Sequence, residues 1–106
     1  MLPDKVIIGC YEYLVLETDD PIIVDHRECV GEIDYRAKVI RIKKSGISEQ
    51  LKEQTFWHEV IHGIFEYRII NPEKQDEETT TEELARGMYG LMKSNGILPG
   101  QKLEVG

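Results

Sequence analysis

The sequence predicts an α+β domain, a small N-terminal antiparallel or mixed β-sheet packed on two C-terminal helices. Three observations carry that expectation. At 106 residues the chain is long enough for one core; a chain of this size buries roughly two-thirds of the surface its unfolded form exposes, so residues 1–106 read as a single domain. The first half consists of short Val-, Ile- and Tyr-rich segments separated by turn signals, which is the pattern of strands. The second half holds two long segments bracketed by capping and stop signals, which is the pattern of helices.

Lys5 to Cys10 and Tyr11 to Glu17 read as consecutive strands, with Gly9 as a bend between them. Thr18-Asp19-Asp20-Pro21 is a turn, and a short strand at Ile22 to Val24 follows. Gly31 to Lys44 reads as a hairpin in which Val39-Ile40-Arg41-Ile42-Lys43 alternates in part with period two. Ser48 is the N-cap expected for a helix running to about Tyr67, ended by Asn71-Pro72, because proline disfavours helical backbone in the residue before it. On this helix Leu51, Thr55, His58, Ile61, His62, Phe65 and Ile69 gather in one stripe. Phe56, Trp57, Val60 and Ile64 lie off it, so the helix is expected to be buried nearly all round. A second helix is expected to start between Asp76 and Thr81, to carry Leu84, Ala85, Met88, Leu91 and Met92 on one side, and to stop after Ser94 at Asn95-Gly96. The C-terminal tail beyond is expected to fray.

Charge and composition narrow the function. Against 20 Asp+Glu stand 13 Lys+Arg, a net charge of −7, which argues against a surface that neutralises phosphates and hence against direct nucleic-acid binding. Six acids between Glu73 and Glu83 face only Lys74, so this short stretch carries most of the excess. Such a run ordinarily marks a solvated loop or an acidic helix start. No apolar stretch approaches the ~18 residues of a transmembrane helix, and the N-terminus lacks a basic region followed by a long apolar one. The expectation is a soluble cytoplasmic protein without a membrane partner. Cys10 and Cys29 match no metal or redox spacing and read as two small buried thiols in a reducing compartment.

Residues 58 to 62 read His58-Glu59-Val60-Ile61-His62, the HExxH spacing, inside the first helix. Residues four apart on a helix lie one above the other, so two imidazoles can converge on one zinc ion while Glu59 reaches its open side. Zinc lowers the pKa of bound water to about 7, and a carboxylate in that place takes the proton as the water attacks a carbonyl. Hence His58 and His62 are the expected ligands of one Zn2+ and Glu59 the expected catalytic base. A third ligand must come from elsewhere. Taking Met88 as the centre of the second helix's apolar side, Glu77 and Glu78 point inward, Glu82 sits at the margin and Glu83 points away. Glu78 is therefore the first candidate and Glu82 the alternative, although Thr79-x-x-Glu82 also fits a capping box.

Taken together, Gly31-Glu32-Ile33-Asp34-Tyr35, Glu53-Gln54-Thr55, His58 to Ile64 and Leu84-Ala85-Arg86-Gly87-Met88-Tyr89-Gly90-Leu91-Met92 resemble a minimal zincin of the ImmA/IrrE-type metallopeptidase group, in particular its small phage and prophage members. The likeness spans roughly residues 10 to 95. It implies a zincin-like fold with a glutamate of the following helix as third ligand, three residues before a small or apolar residue and six before an apolar one. Glu78 precedes Thr81 and Leu84 at those offsets, and Glu82 precedes Ala85 and Met88. Nothing in the chain resembles a third-histidine tail, and His26 reads as a loop residue. The resemblance implies cleavage of a regulatory protein in a phage or mobile-element setting, in the host cytoplasm.

The leading expectation is thus a zinc-dependent peptidase acting on a protein or peptide gripped along an exposed strand edge, with Tyr67, Arg68 and Tyr89 as unassigned candidates for a carbonyl-oxygen donor. The alternative is a non-catalytic module in which zinc stabilises a small interaction domain. Glu59 favours the enzyme, since a scaffold has no use for that carboxylate.

Overall fold

The computed structural model describes residues 2–97; the predicted C-terminal fraying lies outside them. Strands β1 (Lys5–Ile8) and β2 (Tyr11–Thr18) form an antiparallel hairpin. Its turn needs Gly9, which sits at φ 64° with the Tyr67 ring where a side chain would stand. The predicted turn after β2 closes through the Thr18 hydroxyl, which accepts the Asp20 amide at 3.0 Å. Strand β3 (Ile22–Val24) pairs with β4 (Arg27–Cys29), a strand the sequence did not announce, and His26 lies in the turn between them at φ 66°. Next come β5 (Gly31–Asp34) and β6 (Val39–Lys43), the expected hairpin.

Strand β6 lies parallel to β2, so the main sheet is mixed, in the order β1-β2-β6-β5. Period-two alternation sends Val6, Ile8, Tyr13, Val15, Ile40 and Ile42 to one buried face. Two helices cover that face. In α1 (Glu49–Arg68) the Ser48 side chain accepts the Leu51 amide at 3.1 Å, as expected of an N-cap. The helix ends three residues before Pro72, at Ile69 in the left-handed conformation, with the Ile70 amide donating to the Phe65 carbonyl at 2.9 Å. Helix α2 (Glu77–Ser94) is capped by Asp76, which accepts the Thr79 amide at 2.7 Å. The Thr79–Glu82 capping box therefore does not form, and Glu82 instead binds Arg86 at 2.6 Å. Asn95 ends α2 and reaches β1: its side chain accepts the Ile7 amide at 2.9 Å and donates to the Ile7 carbonyl at 2.8 Å. A side-chain amide thereby occupies backbone groups that would otherwise lie open on this edge of the sheet.

Both helices are rotated from the expected setting. The buried side of α1 comprises Lys52, Thr55, Phe56, Glu59, Val60, Gly63 and Ile64. Of the predicted stripe only Thr55 is buried; Leu51, His58, Ile61, His62 and Ile69 are exposed, and the helix is not buried all round. Small and polar residues on the inner side account for the difference. Gly63 lets α1 approach the sheet so closely that an added Cβ would meet Ile8 Cδ1 at 2.7 Å and Ile33 Cδ1 at 3.1 Å. Lys52 turns inward because Glu17 on β2 receives its ammonium at 2.9 Å.

On α2 the buried side is centred on Leu91, with Leu84, Met88 and Met92 half-buried and Ala85 exposed. That is a turn of about 60° from the Met88-centred setting. Glu83, expected to point away, faces α1 and binds Arg68 at 2.7 Å. The Arg68 guanidinium, with help from Arg86, holds the Glu83 carboxyl below its usual range. A carboxylate whose folded pKa is depressed adds stability above its unfolded pKa and loses it as pH falls through the folded one. Urea melts of the parent should thus weaken steadily below about pH 5, and Glu83→Gln should flatten that dependence.

Candidate metal centre

The exposed side of α1 carries the two histidines. One helical turn brings the Nε2 atoms of His58 and His62 to 3.2 Å of each other, with the rings edge to face. Two nitrogens bound to one tetrahedral zinc at 2.0–2.1 Å stand about 3.3 Å apart. The contact is within hydrogen-bond distance, one ring donating and the other accepting, and the same separation would suit two ligands of one tetrahedral ion.

Glu59 sits on the adjoining inner side, 7% exposed, where α1 meets the start of β5. Gly31 makes room for it: an added Cβ would meet Thr55 Cγ2 at 2.5 Å, the Arg41 carbonyl oxygen at 3.3 Å and Glu59 Oε2 at 3.4 Å. Burial pushes the Glu59 carboxyl up, His58 and His62 pull it down, and the neighbouring Glu32 raises it further. Gly31→Ala should displace Thr55, whose Cγ2 would lie 2.5 Å from the new Cβ. Overpacking of this kind costs about 1–3 kcal/mol, read as a lower urea midpoint with little change in slope.

The structure brings His58, Glu59 and His62 together. Among the described residues no group of three or more His, Cys, Asp or Glu side chains stands in ligand array. Glu82 lies nine residues, about two and a half turns, from Leu91 and so on the opposite side of α2, held by Arg86. Glu78 is exposed in the first turn of α2 and has no ion pair among the described residues. His26 is remote, in the β3–β4 turn. Arg68 is committed to Glu83, and Tyr67 packs edge-on against Tyr11.

Two clefts flank the histidines. On the His58 side one of about 350 Å³ is walled by Val30, Gly31, Leu51, Thr55 and Glu59. On the His62 side one of about 360 Å³ is walled by Tyr35, Phe65, Glu66, Ile69 and Pro72. Tyr35, at the end of β5, donates its hydroxyl to the His62 carbonyl at 3.3 Å, and burial, Glu66 and Glu59 raise its pKa in that order. Glu66 stands one helical turn beyond His62, whereas Gly31 and Tyr35 carry no spacing signal that would mark them as neighbours of the pair. Only the packing of β5 on α1 does so.

Compared with known proteins, the chain matches no family model, no curated protein and no solved structure. No helix among the described residues is long and apolar enough to cross a membrane. Cys10 and Cys29 carry free thiols that are not both buried as expected: Cys10 is exposed in the β1–β2 turn and Cys29, at the end of β4, is half-buried.

Proposed function

We propose that the chain is a zinc-dependent peptidase of the HExxH type. The observation that carries the reading is the convergence of the His58 and His62 Nε2 atoms at 3.2 Å beside a buried Glu59. Zinc held there supplies a Lewis acid and brings the pKa of water to about 7. Glu59 would take the proton of the attacking water as the new C–O bond forms, and would then pass it to the amide nitrogen, whose bond to the carbonyl carbon breaks in a second step to release the amine. A non-catalytic module would retain the histidines but gain nothing from burying a carboxylate next to them, which costs stability.

Substrate is an extended polypeptide lying along β5, since Asn95 occupies part of the β1 edge and β5 is the sheet edge nearest the histidines. A regulatory protein of a phage or mobile element, the target implied by the resemblance, is the first candidate. In the same reading Glu78 is the carboxylate open to serve as third ligand, Glu82 being engaged by Arg86.

The test measures bound zinc and hydrolysis of candidate proteins. The parent should bind one zinc and cleave, His62→Ala should lose the metal, and Glu78→Ala should bind it more weakly than Glu82→Ala. A parent that binds no zinc under any condition in which it is folded would sink the reading.

A further inference from the structure

The two clefts beside the histidines differ in chemistry. Aliphatic and neutral side chains (Val30, Leu51 and Thr55) line the His58 side along with Glu59. The His62 side offers the aromatic rings of Tyr35 and Phe65, the exposed Ile69 and the carboxylate of Glu66, with no lysine or arginine in its wall. Building on the peptidase reading, we propose that the cleft beside His62 binds a basic side chain, lysine or arginine, of a polypeptide, and that Glu66 selects it.

Glu66 follows His62 by four residues, so its side chain stands on the same side of α1, about 6 Å farther along the axis. That is too far to share one metal position with both histidines, yet close enough to meet the next side chain of a peptide held there. Unlike Glu12, Glu17, Glu32, Glu82 and Glu83, it has no ion pair among the described residues. Burial raises the pKa values of the Tyr13 and Tyr35 hydroxyls, and the nearby charge of Glu66 raises them further. An unpaired carboxylate among aromatic faces suits a cation, which gains from the ring quadrupoles as well as from the charge.

The same surface already holds one cation of the chain. Beyond Tyr35 and Glu66 the cleft continues past Tyr11, Tyr13 and Lys38, where the Lys38 ammonium lies 4.2 Å from the Tyr11 ring centroid and 5.5 Å from that of Tyr13. Lys38 also donates to the Tyr35 carbonyl, which keeps its charge on the Tyr11 side. Arg36 lines this outer part and limits how far the negative potential extends. At the rim, Ile69 is 81% exposed at φ 55°, a conformation that disfavours a β-branched residue and commonly falls to glycine at a helix end. An apolar side chain kept there against its backbone preference forms a wall of the cleft.

The probe is a set of short fluorescent peptides of one neutral sequence, varied only at a central position to Lys, Arg, Leu or Glu. Binding is read by anisotropy to zinc-loaded Glu59→Gln protein, which does not consume them. Lys and Arg peptides should bind about tenfold tighter than the Leu peptide at low salt, with the preference fading as ionic strength rises. Glu66→Gln should abolish the preference and Glu66→Lys should turn it toward the Glu peptide. Glu66 is exposed, and circular dichroism with zinc titration should show the fold and metal site of both variants intact. Equal binding of Lys and Leu peptides, or a preference that survives Glu66→Lys, would overturn the proposal. Glu66-dependent binding without cleavage by the parent would support the cleft and count against the peptidase reading. Cleavage indifferent to Glu66 would do the reverse.

Discussion

Glu59→Gln should abolish hydrolysis while making the protein more stable. The carboxylate is 7% exposed, its ionisation is penalised by burial, and the amide has nearly the same shape without the charge. Removing that penalty should add about 0.5–2 kcal/mol, as favourable single substitutions do, which for a domain of this size raises Tm by roughly 4–8 °C per kcal/mol. The measurement belongs on metal-free protein in chelator, because a bound divalent cation inverts the local electrostatics and stabilises the carboxylate. With zinc present, loss of the proton acceptor should lower turnover by about 10²–10⁴-fold, the usual contribution of general acid–base catalysis. A variant that is less stable than the parent without metal would mean that the burial of Glu59 is compensated by contacts other than those described. A variant that cleaves at the parental rate would mean that Glu59 is not the base.

Ile64→Ala should cost about 2–5 kcal/mol, a large share of the 5–15 kcal/mol that holds a typical domain folded. Ile64 is 1% exposed, and its Cγ2 lies 2.3 Å from where a Cβ on Gly87 would stand, so it fills the point at which α2 comes nearest to α1. Truncation would leave a cavity between the helices that neither backbone can close. The urea midpoint should fall steeply, and the weakened α1–α2 contact should leave the Arg68–Glu83 pair as the main remaining tie at that end. Ile69→Ala, five residues on, is the control. That side chain is 81% exposed at φ 55°, so its truncation removes no buried contact and eases a conformation unfavourable to a β-branched residue; stability should stay level or rise slightly.

The contrast between these two isoleucines also marks how far the sequence can be read. Element by element, the strands from Lys5 to Thr18, the hairpin from Gly31 to Lys43 and both helices were legible, because turn residues, caps and β-branched runs act over a few neighbours. Strand β4 escaped notice because Arg27-Glu28-Cys29 has little β character of its own and is a strand only as the partner of β3. At the candidate centre, His58, Glu59 and His62 were legible for the same local reason: one helical turn aligns them wherever the helix lies. Glu66, one turn beyond His62, follows from the same helical spacing, but Tyr35 does not: its neighbourhood arises from β5 packing on α1, between segments about thirty residues apart in the chain.

What the sequence determined by itself was therefore the set of elements, their caps and the paired imidazoles, all consequences of short-range backbone geometry. Only the tertiary structure decided which sides of the helices turn inward. Hydrophobic spacing pointed α1 the other way, because it counts Lys52, Glu59 and Gly63 as surface residues. Each is buried for a reason found elsewhere in the chain: Glu17 receives Lys52, Gly31 makes room for Glu59, and Ile8 and Ile33 press against Gly63. The same long-range pairing turned Glu83 toward Arg68. A helix's periodicity reports its apolar residues, whereas its orientation is set by whatever its small and charged residues find to pack against.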